Sequence, residues 1–172
     1  MTNNMPAQPA ITLPAKALEI AISYNGQTEV PKGSNAGVFV EECLRLVGLG
    51  KGYSWCAAFT YRCFHEAALA LGVKNPVPKT AGVIDNWRKS PVARKITRKQ
   101  ATKYNVPAGS IGYMDFGKGM GLVFIVIGIE GKTIHTVEGN TDLASGSRTG
   151  GSVCIRTRSL DDPKLLGFVV WG

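Results

Sequence analysis

At 172 residues, 44% hydrophobic and 19% charged, the chain is long enough for one domain with its own core and too apolar for an intrinsically disordered one. A formal net charge of +8 favours anionic partners, whether nucleic acid, anionic wall polymers or an acidic protein surface, and equally describes a plain basic exterior. The longest apolar run, 122–127, is far too short to cross a bilayer as a helix, so no membrane span is expected. The four cysteines, Cys43, Cys56, Cys63 and Cys154, form no CxxC pair, and with two histidines in the chain neither a metal site nor a cofactor is expected.

Residues 1–14 carry Pro6, Pro9 and Pro14 with little periodicity and read as an extended arm, either disordered or docked on a partner protein. They have no basic n-region or apolar h-region, so no signal peptide is expected; action outside the producing cell would need lysis, a phage particle or an injection apparatus. The rest, 15–172, reads as a single domain. Leu18, Ile20, Ala21 and Ile22 predict a helix over 15–24, ended by Asn25-Gly26. Val38, Val40, Cys43, Leu44 and Val47 predict a second, with Glu41 and Glu42 on its wet side.

A glycine-rich loop, 48–52, then leads to Ser54, a candidate N-cap, and to a third helix over 55–71. Cys56, Phe59, Cys63 and Ala67 form its inner stripe, and His65 points the opposite way. Cys56 falls in the first turn, where unpaired N–H groups and the helix dipole stabilise a thiolate, the reactive form of cysteine. The local pattern fits a small buried residue equally well.

Pro76 and Pro78 interrupt the chain, and Val83, Ile84 and Trp87 predict a short helix over 80–90. From Arg88 to Lys103 there are many cations and no acid, Arg94, Lys95, Arg98 and Lys99 among them. The run suits a solvated face or a binding patch for a protein partner; no nucleic-acid-binding motif accompanies it, and nucleic acid ranks last among the partners. Beyond Pro107 the period changes, predicting strands at 110–116, 121–128, 132–138, 152–157 and 167–171. Helices first and about five antiparallel strands afterwards indicate an α+β fold.

Four blocks in order, Pro31-Lys32-Gly33-Ser34-Asn35-Ala36-Gly37, Val47-Gly48-Leu49, Trp55-Cys56-Ala57-Ala58-Phe59 and Glu138-Gly139-Asn140-Thr141, resemble the CHAP family. The resemblance runs from about Ala17 to the C-terminus. It implies a papain-like fold and a cysteine peptidase or amidase acting on peptidoglycan, with peptidoglycan or its stem peptides as ligand. It makes Cys56 the nucleophile position, Glu138 the orienting carboxylate and Asn140 a further catalytic position, with Asn35, Trp55 and Phe124 beside the site. One block departs. Where the family carries its base histidine, in a Gly-x-Gly-His-Val-Gly type segment, this chain has Gly119-Met120-Gly121-Leu122-Val123-Phe124, with Leu122 at the histidine position.

A cysteine hydrolase needs a base in reach of sulfur and a group to orient that base. A three-residue loop centred on Glu130 would put position 122 opposite Glu138, so the orienter is present and the base absent. His135 falls on the other face of its strand from Glu138, and Phe124 is expected to fill the base site. Three functions follow, in order: a CHAP-type domain without hydrolysis that binds or assembles, an active amidase or endopeptidase using Cys56, and a basic nucleic-acid binder.

Overall fold

A computed structural model describes residues 9–141 and 150–172. Four helices precede a six-stranded antiparallel sheet, so the fold is α+β with the papain-like order of elements. The helices are α1 (Leu13–Ser23), α2 (Val38–Leu46), α3 (Cys56–Leu71) and α4 (Val83–Lys89). The strands are β1 (Lys95–Thr97), β2 (Ile111–Gly117), β3 (Met120–Glu130), β4 (Thr133–Thr141), β5 (Ser152–Ser159) and β6 (Leu165–Val169), in the spatial order β1-β6-β2-β3-β4-β5.

The sixth strand is the one not read from the sequence. β1 lies inside the basic run and pairs with β6, Ile96 opposite Phe168. Its cations mask the hydrophobic alternation that marks a strand, and they suit a sheet edge, where lysine discourages pairing with another chain. The N-terminal arm is also shorter than expected. Thr12 caps α1 and Pro14 sits in its first turn, where the missing proline N–H costs nothing. A Cβ on Gly109 would lie 2.5 Å from the Pro14 carbonyl oxygen, so the start of the helix is packed on the body. Residues 1–8 of the expected arm lie outside the described residues.

The central strands are buried on both faces. Val169, Ile111, Ile125 and Val137 form one cross-strand row, and Phe168, Gly112 and Phe124 form the neighbouring row on the opposite face. The first row lies toward the helices, because Tyr113, in step with Ile111, donates a 2.7 Å hydrogen bond to Asn86 of α4. In the second row the ring of Phe124 covers Gly112, where a Cβ would stand 2.1 Å from a ring carbon. α3 is buried on several sides, from Cys56 through Phe64 to Ala68, and ends at Gly72 in the left-handed conformation. Arg62 ties α3 to α1 and α2, with Glu66 at 2.7 Å, Glu42 at 3.1 Å and the Tyr24 and Phe39 rings under its guanidinium.

Candidate active site

Cys56 is the first residue of α3. The helix is capped by the backbone of Trp55 and by no side chain, so Ser54 is not the N-cap; it lines the cleft instead. The reason is the indole. Trp55 is fully buried, packs edge-on against Phe39 and Phe59, and donates a 2.8 Å hydrogen bond to buried Glu29. Trp55, expected beside the ligand, is thus an anchor that sets where the helix begins. Asn35 is also a positioning residue here: its carbonyl accepts the Gly52 N–H at 2.8 Å, holding the loop that delivers Cys56.

A cleft of about 330 Å³ opens at this helix end, lined by Ser54, Cys56, Gly82, Met120, Leu122 and Asn140 among others. Two glycines permit its walls. A Cβ on Gly139 would lie 2.8 Å from Phe59 side-chain atoms, so only glycine lets α3 press against β4 one turn beyond Cys56. A Cβ on Gly121 would lie 2.5 Å from the Met114 carbonyl oxygen and 2.8 Å from Val83, so glycine there lets α4 approach β3. Leu122 and Asn140, the residues after these two glycines, line the cleft with Cys56.

The register differs from the sequence-based expectation. The β3–β4 turn is Gly131-Lys132, with Glu130 opposite Thr133, and a bulge between Val126 and Gly128 brings Ile125 opposite Val137. Continued by alternation, that register sets position 124 against Glu138 and position 122 against Asn140. The turn comes later because Gly131 takes φ +57, a conformation that suits a two-residue loop. Asn140 therefore shares the cleft with Cys56 and Leu122, at φ 56 in a local irregularity of the β4–β5 pairing. Phe124 is fully buried over Gly112 and against Phe168, outside the cleft lining, so it does not fill the base site.

Glu138 is fully buried. Its neighbour Gly139 turns toward Phe59, so the carboxylate projects from the opposite face of β4. There Arg158 grips both oxygens, Nε donating to Oε1 at 2.8 Å and a terminal nitrogen donating to Oε2, while the Thr136 hydroxyl donates to Oε1 at 2.8 Å. A bidentate arginine makes some of the strongest hydrogen bonds that a carboxylate accepts from a side chain. Arg158 was missed because the strand predicted at 152–157 stops short of it; extending the alternation Cys154, Arg156, Arg158 would have put it on the face of Glu138.

Burial pushes the Cys56 thiol up from its ordinary value, and the nearby Glu138 charge adds to this. Backbone hydrogen bonding from Val123, Ala57 and Cys56 itself works the other way. The contact with Val123 shows that the β3 backbone passes next to the sulfur. Neither histidine is there: His65 stacks on Tyr61 and lines a groove between α2 and α3, and His135 Nε2 lies 3.5 Å from Glu130 Oε2. The arrangement offers a slot with helix N-terminal N–H groups and the Asn140 amide, both able to hold a carbonyl oxygen.

The basic run divides in space. Arg94 donates to the Gly172 carbonyl, and Lys95 lies over Trp87 at 5.0 Å. Arg98 and Lys99 line a separate concavity with Lys132. No helix among the described residues is long and apolar enough to cross a membrane.

Comparison with curated proteins and with solved structures returned no match. The family model described as CHAP domain matches residues 48–140, more than half of the chain and the whole span from the loop before Cys56 to Asn140. The cysteine at a helix start, the cleft between that helix and β3–β4, and this match make the chain a member of the CHAP-domain family, with a function related to peptidoglycan hydrolysis.

Proposed function

We propose that this domain keeps the CHAP cleft, has lost hydrolysis, and works by binding peptidoglycan stem peptides or as a structural component of a phage particle, an injection machine or a wall-recognition module. The observation that carries this reading is the set of groups around Cys56. The sulfur has Leu122 and the β3 backbone beside it, both histidines lie elsewhere, and burial favours the thiol over the nucleophilic thiolate. Glu138 cannot serve as a freely available base, since Arg158 and Thr136 engage its oxygens. The half of the site that recognises an amide is still supported, by the first turn of α3 and by Asn140. Loss of turnover with retained recognition is the function such a cleft suits.

The experiment is release of soluble muropeptides from purified peptidoglycan by the chain and by Cys56→Ala, with sedimentation of both proteins on the same material. Neither protein releases fragments, and both co-sediment. Release by the unmodified chain that Cys56→Ala abolishes would instead establish an active amidase or endopeptidase, the reading favoured by retention of Cys56 and the Glu138-Gly139-Asn140 block.

A further inference from the structure

A further concavity lies far from the cleft. It measures about 310 Å³ and is lined by Arg98, Lys99, Ala101, Lys132, Leu160 and Asp161. Arg98 and Lys99 follow β1, Lys132 sits in the β3–β4 turn, and Leu160 and Asp161 follow β5. The Leu160 N–H donates to the Lys132 carbonyl at 2.9 Å, and the Arg98 N–H donates to the Leu166 carbonyl at 3.1 Å. The backbone therefore fixes the segments that carry the cations. Leu122 of the cleft and Lys132 lie toward opposite ends of the β3–β4 hairpin, about 30 Å apart along the strand at ~3.3 Å per residue.

We propose that this concavity binds phosphodiester groups of an anionic wall polymer. Three cations face one carboxylate around it. Asp161 already has a partner, Lys132 at 3.0 Å, and its carbonyl accepts from Arg98 at 3.4 Å. That leaves the Lys99 ammonium without an ion pair among the described residues, and Arg98 half-buried with its guanidinium held at the wall. A planar guanidinium with two ammonium groups lining the same concavity is suited to a tetrahedral oxyanion. A wall polymer is favoured over nucleic acid by the rest of the lining. Ala101 and Leu160 are its uncharged members, and no aromatic side chain is present on which a base could stack. The site does not depend on whether the Cys56 cleft hydrolyses anything. Arg94 and Lys95, adjacent in sequence, take no part, because their side chains are turned to Gly172 and Trp87.

The test is calorimetric titration of the full chain with short poly(glycerol phosphate), and separately with duplex DNA of equal charge, at low and at physiological salt. The variants are Lys99→Ala with Lys132→Ala, and a control pair of equal charge loss outside the concavity, Arg88→Ala with Lys103→Ala, all checked by thermal melt. Poly(glycerol phosphate) binds, its affinity falls with salt, and the Lys99/Lys132 pair weakens it about tenfold or more while the control pair stays within about twofold. Equal losses in the two pairs would reduce the effect to general surface charge and overturn the site. Absence of binding, or tighter binding of DNA through the same lysines, would overturn the proposed ligand.

Discussion

The Leu122 mouth of the cleft and the Glu138 pocket on the next strand are parts of what would be one catalytic centre, and they treat polarity in opposite ways. At the mouth, Cys56, Leu122 and Asn140 line an open slot in which Leu122 brings no polar group. At Glu138 the carboxylate is sealed from water and held by Arg158 and Thr136. The difference is energetic. A side chain at the mouth can become apolar at little cost, because nothing buried depended on its charge. A buried carboxylate cannot simply lose a cationic neighbour, since an uncompensated charge in the interior costs several kcal/mol. Glu138 is tolerated as a buried carboxylate because Arg158 of β5 supplies its counter-charge.

The largest break in this contrast comes from Arg158→Met. It leaves Glu138 buried without a cation, and unfolding in urea should show a loss of about 3–5 kcal/mol. Adding Glu138→Leu to the same protein should recover most of that, because an apolar pair of similar volume replaces a buried ion pair at small cost. A loss below about 1 kcal/mol for Arg158→Met would mean that the carboxylate is held by something else.

Alkaline stability tests the buried thiols. Burial pushes Cys43 from 9.0 to about 11 and also raises Cys56 and Cys63. A native state that keeps its thiols protonated while the unfolded chain ionises them is fully stabilised below pH 9.0 and loses that stability as pH rises toward 11. At about 1.4 kcal/mol per pH unit, Cys43 alone accounts for roughly 2–3 kcal/mol across this window. Thermal melts between pH 8 and about 11 would read it, and a serine in place of Cys43 should flatten the slope.

Leu122→His sharpens the comparison at the mouth. Position 122 is 5% exposed, so the imidazole costs about 1–3 kcal/mol of stability. Peptidoglycan release should remain absent, because Glu138 stays with Arg158 and does not orient the new ring. Hydrolysis by this single variant would show that the carboxylate exchanges partners readily. The smallest effect is kinetic. Iodoacetamide should modify Cys56 slowly, at a rate still climbing with pH beyond neutrality; a plateau at acidic pH would reveal a stabilised thiolate.

Much of the fold is legible in the sequence. Hydrophobic period placed all four helices and five of the six strands, and the loop 48–52 marked where Cys56 enters α3. Local pattern and family likeness agree there because a helix start and a strand's alternation are set by neighbours in the chain. β1 escaped because a short edge strand built of Lys95, Ile96 and Thr97 has no fully buried residue and is too short to show a period.

The contents of the candidate site divide along the same line. Local sequence was enough to start a helix at Cys56, to put leucine at position 122 and to turn His65 away from Cys56 on the same helix. Tertiary structure decided the rest. The turn at Gly131 and the bulge after Val126 set which residue of β4 meets position 122, and beyond the bulge, where Ile125 meets Val137, a shift of two residues keeps side chains on their face while changing their partners. Long-range pairing of β4 with β5 brought Arg158 to Glu138, because β-sheet neighbours are chosen by burial and register across the whole domain, and no local rule encodes who stands opposite whom.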